Sequence, residues 1–334
     1  MASSGGTADT DSLIDDQPIS RLQWLVFLVC FLMNALDGMD VLVISYAAPL
    51  LAGQWSIEPE ALGIVFSAGL LGMTSGAVFI APYADRFGRR ALILFSIALT
   101  GTAVLATAQA ATLTLLIALR FLSGVGIGAM LASVATMAAE YAPDRRRNLI
   151  LGIVLAGYPI GATIFGLVAA DVLPAHGWQA VFVIAGVTTL ATLPVVWWLL
   201  PESLTFLLRT QPDDALSSVN RILVRMRHAT IESLPGNDKR LHRRSVRSLF
   251  GAPLAPATTL LWSAFFMNFA ALYFLTSWIP KLATGAGLAL ELAIYAGAVF
   301  NFGAVFGIAA SGLISLRLGL RRTIAGFLGL AAVV

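Results

Sequence analysis

Charge is what this sequence has least of. Asp, Glu, Lys and Arg make up 12% of its 334 residues, where an ordinary soluble domain carries about 25%. With 58% of residues hydrophobic and a mean hydropathy of +0.85, the chain cannot cover itself with a polar surface, which excludes a soluble globular domain. Cysteine is nearly missing: Cys30 stands alone in an apolar run and has no internal partner for a disulfide. The three histidines, His176, His228 and His242, lie in or beside loops. With no metal-ligand cluster and no nucleophile–base arrangement in view, an enzyme is disfavoured. The formal net charge is +3, and its distribution does not point to nucleic acid as a partner. Residues 1–20 lack the basic start and short apolar core of a cleaved signal; small, polar and acidic, they are expected to be a disordered cytoplasmic tail.

What the chain has in abundance is long apolar runs. A membrane helix needs about 20 such residues. Runs of this kind occur near 22–51, 60–82, 91–109, 113–139, 149–171, 178–200, 258–280 and 290–314, and a ninth begins near 323. The gaps alternate in charge. "DRFGRR" (85–90), "PDRRRN" (143–148), the wide gap 201–257 and "RLGLRR" (317–322) are basic, whereas "GQWSIEPE" (53–60), "QAAT" (109–112) and "DVLPAHGW" (171–178) hold no Lys or Arg. On this layout 19 of the 21 basic residues fall on one side, Arg120 and Lys281 being the exceptions. Positive-inside then puts the N-terminus and the wide gap in the cytoplasm. An all-α polytopic membrane protein is expected: an N-terminal six-helix half (21–200), a central cytoplasmic loop (201–257), and a partial second half (258–334) with two full helices and the start of a third. "ADRFGRR" (84–90) and "LRLGLRR" (316–322) echo each other at matching places in the two halves, as a parallel repeat requires, although Leu316 stands where Asp85 does.

Inside the first run, "NALDGMDVLVISYAAP" (34–49) carries two carboxylates with no basic residue nearby. Asp37 falls near the midpoint of the span, with Asp40 about 4.5 Å further out at the helical rise. The spacing of three puts them on one face, and Asn34 extends that face inward. Acids this deep cost several kcal/mol when ionised and unpaired, so they are candidates for exchanging protons as cargo passes; the bland alternative is an ion pair that fixes helix packing. Gly38 between them lets a partner helix or ligand approach. Arg120 is the basic residue embedded in a span, at a depth close to that of Asp40, and is the expected partner. Gly72/Gly76, Gly124/Gly128 and Gly157/Gly161 form small-residue faces, read as packing surfaces.

The "ADRFGRR" turn offers both signs of charge at helix ends. The acid in a basic anchor, Asp85, is expected to pair or to serve a helix N-terminus, with Glu140 at the inner end of the fourth helix in the same cluster. In the second half, "FFMNFAALYFLTSWIP" (265–280) presents Asn268, Tyr273 and Trp278 as cavity-lining candidates, Trp278 alternatively as an interfacial anchor.

These motifs resemble a known family. "ADRFGRR" resembles the signature loop of the major facilitator superfamily, and "RFLSGVGIG" (120–128) its helix-four motif. "LDGMD" (36–40), "EYAPDRRR" (140–147), "PESLTFLL" (201–208) and "YFLTSWIP" (273–280) together are similar to its aromatic acid:proton symporter branch, transporters of 4-hydroxybenzoate, protocatechuate and benzoate. The resemblance implies two six-helix halves, the second incomplete here, in a bacterial inner membrane. It implies an aromatic carboxylate and protons as cargo, a lipid bilayer as surroundings, and no cofactor beyond the proton gradient. It also implies roles: Asp37 and Asp40 in proton coupling, Arg120 in coupling or in binding the substrate carboxylate, and Asp85, Arg86, Gly88, Arg89 and Arg90 in a gating loop; the positions read above add Glu140 to that loop and Asn34, Asn268 and Tyr273 to the substrate-binding candidates. Other facilitator cargoes (organic acids, sugars or drugs, the last by export), a membrane sensor of aromatic acids, and an inactive truncated fragment stay open as alternatives.

Overall fold

The computed structural model describes residues 18–234, 251 and 254–333; most of the expected N-terminal tail and residues 235–250 of the central loop lie outside them. Every described element is helical. The first crossing, α1 (Arg21–Trp55), starts at a reciprocal cap: the Ser20 hydroxyl accepts from the Gln23 backbone N–H, and the Gln23 side chain accepts from the Ser20 N–H at 2.7 Å. There follow α2 (Pro59–Phe87), with proline at its first turn, α3 (Arg89–Thr107) and α4 (Leu113–Tyr141), capped by the Thr112 hydroxyl.

Seven described helices are long and apolar enough to cross a membrane, but one of them, Asp144–Leu199, is 56 residues long and far exceeds the roughly 20 needed for one crossing. It is two crossings. Gly177, at φ 78° and ψ 175°, breaks the helix in a conformation that suits glycine, giving α5 (147–176) and α6 (178–199). The neighbours prove the reversal. Along α5, Gly157 faces Phe31 and Asn34, Gly161 faces Ala35, and Gly166 faces Tyr46, so α5 runs parallel to α1. Beyond the break, Trp178 Nε1 donates to Gln54 at 2.9 Å and Thr189 reaches back to Asp40, so α6 returns. The expected pair of spans is therefore present.

The wide gap expected as a loop is partly folded: α7 (Leu204–Thr210) and the amphipathic α8 (Ala215–Met226), which buries Val219, Ile222, Leu223 and Met226. The second half holds α9 (Ala255–Gly285), α10 (Leu290–Leu318) and α11 (Leu320–Val333). The echo of sequence is also an echo of backbone. Gly88 (φ 95°, ψ 151°) separates α2 from α3, and Gly319 (φ 79°, ψ 154°) separates α10 from α11.

Lipid offers little hydrophobic drive between helices, so close backbone approach must supply the packing. The small-residue faces do this. A Cβ on Gly161 would overlap the Ala35 carbonyl, and one on Gly38 the Tyr158 carbonyl, locking α1 to α5; Gly72, Gly76, Gly124 and Gly128 do the same between α2 and α4. The two halves meet away from the arginine-rich end. The Ser45 hydroxyl lies 2.8 Å from the carbonyls of Thr276 and Ser277, Phe66 packs edge-on against Trp278 at 5.4 Å, and Thr163 donates to the Ala298 carbonyl at 3.3 Å. Nearer the arginine-rich end, α9 exposes Leu260, Trp262, Phe265, Phe266 and Met267.

Candidate functional site

Asn34, Asp37, Asp40 and Arg120 are all buried, each at 3% exposure or less, as their positions inside apolar spans demand. The two acids do not have the same surroundings. One oxygen of Asp40 accepts from the Thr189 hydroxyl on α6 at 2.9 Å. Its other oxygen, and both oxygens of Asp37, have no hydrogen-bond partner among the described residues. Asp37 instead lies within electrostatic range of the tyrosines Tyr158 on α5 and Tyr273 on α9.

Arg120 is held from α3 and α6. Its guanidinium donates to the Thr107 hydroxyl at 3.2 Å and lies over the Phe182 ring at 5.0 Å, while Nε has no partner. Arg120 and Asp40 both line one cavity of about 30 Å³, together with Phe66, Ser123, Tyr273 and Ser277. Among the described residues no direct ion pair joins Arg120 to either acid, so the expected partnership takes the form of a shared cavity rather than a contact. A cation, a carboxylate and two hydroxyl-bearing side chains from the opposite half thus line one small space. Such a set can move a proton or hold an anion without exposing either to lipid.

Of the expected binding residues, the structure brings Arg120 and Tyr273 together and leaves two apart. Asn34 sits a turn further in, donates to the Cys30 carbonyl at 3.4 Å and packs on Gly157. Asn268 lines a separate, mostly apolar cavity with Phe265, Ser311 and Thr323, because the inner part of α9 stands away from α1. Trp278 packs on Phe66 and Phe274.

The gating-loop residues gather at the arginine-rich end with one correction. Arg89 pairs with Glu140 at 3.0 Å and donates to Ser203 at 3.3 Å. Arg90 donates to the Trp197 carbonyl and lies over that ring at 5.2 Å, and Arg86 lies over Phe87. Asp85, expected to pair or to serve a helix N-terminus, is exposed, and its carboxylate has no hydrogen-bond or ion-pair partner among the described residues; its backbone carbonyl accepts from Thr210. The acid at the N-terminus of α3 is Glu202. One of its oxygens accepts from the backbone N–H groups of Arg89 (2.9 Å), Arg90 (3.1 Å) and Ser203 (2.9 Å), neutralising donors that a helix start leaves free. Gly88 admits it, since a Cβ there would meet the Glu202 carboxyl. Tyr141 ties the cluster down by donating to the Glu202 carbonyl at 2.7 Å and accepting, through its own carbonyl, the Gln23 side chain at 2.8 Å.

Sequence reasoning missed Glu202 and Ser203, although both stand in the quoted "PESLTFLL", and it missed Thr107, Phe182 and Thr189. An acid beside a helix start was the available signal for Glu202.

The family model described as Major Facilitator Superfamily matches residues 30–334. The 4-hydroxybenzoate transporter PcaK of Acinetobacter baylyi is 35% identical over 333 residues, covering 98% of this chain and 72% of that protein. The gallate transporter of Pseudomonas putida is 35% identical over 318 residues, covering 95% and 71%. Among solved structures, the partially occluded inward-open xylose transporter XylE from E. coli superposes with a TM-score of 0.66 at 16% identity, covering 89% of this chain and 74% of that one. That likeness speaks to the fold alone.

Proposed function

The chain belongs to the major facilitator superfamily, and from that premise we propose that it is a secondary active transporter importing aromatic carboxylates of the 4-hydroxybenzoate and benzoate class together with protons. The observation that carries this reading is the small cavity shared by Asp40, Arg120 and Tyr273. The similarity to 4-hydroxybenzoate and gallate transporters supports the cargo class. The arginine-rich end, with Arg89, Arg90, Arg147 and Arg209, is the cytoplasmic end by the positive-inside rule, in the inner membrane of a bacterium.

The mechanism is charge cancellation. Two buried acids and one buried cation leave the centre unbalanced, and burying unbalanced charge is costly. With both acids protonated Arg120 is left as a lone cation, and a carboxylate anion beside it brings the site to neutrality, whereas the protons alone leave +1 and the anion alone −2, so the loaded site passes between open states more readily. The cavity's 30 Å³ has room for a water or two, since one water needs about 10–15 Å³. It does not admit an aromatic ring, so cargo binding requires the halves to part from this arrangement. Gating falls to the Arg89–Glu140–Glu202 cluster.

The test is uptake of labelled 4-hydroxybenzoate into vesicles with an acid exterior. Uptake is expected to collapse with a protonophore and to be abolished in Asp37→Asn and Asp40→Asn, both still inserted in the membrane. Undiminished uptake in the two Asn variants ends this reading. Counterflow separates a transporter from a sensor, because a sensor binds without exchange.

A further inference from the structure

The outer contact between the halves is built around a proline. Pro280 lies inside α9. A proline has no N–H to give to the carbonyl four residues earlier, so the Thr276 carbonyl loses its partner in its own helix. In a membrane an unsatisfied backbone carbonyl is strongly disfavoured. Here the donor comes from the other half: the buried Ser45 hydroxyl lies 2.8 Å from the Thr276 carbonyl and 2.8 Å from that of Ser277, sharing its single hydrogen between them. A helical serine usually returns its hydroxyl to its own helix; Ser45 reaches across to α9 instead. The contact also adjoins the charged cavity, because Ser277 lines that cavity and Asp40 is five residues before Ser45 on α1. Pro280 itself is buried, its ring facing Gly297 beside Tyr46.

We infer that Ser45 is the latch of the outer gate, holding α9 against α1 by satisfying the carbonyl that Pro280 orphans, and that it sets the balance between outer-closed and outer-open states. The inference rests on the transport reading, and it names the residue that positions the halves. When the halves part, water entering the cleft can take over the Thr276 carbonyl, so the bond favours closure only by the modest net worth of a hydrogen bond. That corresponds to a shift of roughly two- to tenfold in population.

The experiment places a thiol at the edge of the seam, on a half-buried position. Gly63 on α2 faces the Trp278 ring, and the native Cys30 is buried, so Gly63→Cys reports opening to a membrane-impermeant maleimide added outside. Ser45→Ala is expected to raise its labelling rate about two- to tenfold, and Ser45→Thr, which keeps the hydroxyl, is expected to label like the parent. In a Pro280→Ala background α9 regains the N–H, and Ser45→Ala is expected to change labelling less than about twofold. Unchanged labelling in Ser45→Ala overturns the inference, as does an equal rise in both backgrounds. Labelling needs no cargo: should it respond as expected while 4-hydroxybenzoate is not carried, the latch stands and the cargo reading falls.

Discussion

Thr189 donates its hydroxyl to Asp40 across 2.9 Å, from α6 to α1, with both side chains buried. This bond distinguishes the two acids, since Asp37 receives no such donor. Removing a donor from a buried carboxylate costs about 1–3 kcal/mol. Thr189→Val is therefore expected to lower initial uptake at least about fivefold at matched membrane levels, and Thr189→Ser to keep most of it. Equal rates in Thr189→Val and the parent show that Asp40 is positioned by something else.

The Glu202 carboxylate and the start of α3 make a second prediction, about stability. Three backbone N–H groups converge on one oxygen, and losing a helix-start acceptor costs about 0.5–2 kcal/mol. Glu202→Ala is expected to lower the melting temperature of purified protein measurably. Asp85→Ala removes an exposed side chain and should stay within about 0.5 kcal/mol. The opposite ranking returns the capping role to Asp85.

The seam between α1 and α5 yields a third. Gly161 sits on the Ala35 carbonyl, so a larger residue must push the helices apart, an overpacking cost of typically 1–3 kcal/mol. Gly161→Val is expected to destabilise the protein and to displace Asp37 from Tyr158. Gly152→Val, at a position with nothing within 4 Å, is the control and should be near neutral in thermal denaturation.

How far these features were legible depends on their chemistry. Charges inside apolar runs stand out, so Asp37, Asp40 and Arg120 were visible at once, and hydropathy placed eight crossings that the described residues form. The hydroxyls that hold them were not. Thr102, Thr136 and Thr163 sit in similar apolar runs and donate to carbonyls three or four residues back, so nothing local separates them from Thr107 or Thr189. The glycine pairs announced close approach but not to which helix. Asp85 looked like the capping acid because it is adjacent in sequence; Glu202 does the capping from 113 residues away, a register that only the folded bundle creates. Asn268 and Tyr273 share one helix, yet only the latter reaches the cavity, because α9 meets α1 at one end and stands away from it at the other.

Arg120 provides the final prediction. A point charge at this position is not equivalent to a guanidinium. The planar group spans from the Thr107 hydroxyl at 3.2 Å to the Phe182 face at 5.0 Å, and stacking on an aromatic face in a dry site is worth up to about 2 kcal/mol. Lysine keeps the charge but loses the fork and the flat face, and its more strongly hydrated ammonium is harder to bury. Arg120→Lys is therefore expected to lose uptake by about tenfold or more, and Phe182→Leu, which keeps the cation and removes its platform, to lose it severalfold. The measurement is initial uptake rate over a range of substrate concentrations, with membrane levels matched. Full activity in Arg120→Lys means that only net charge matters beside Asp40, and the orientation imposed from α3 and α6 then has no part in coupling.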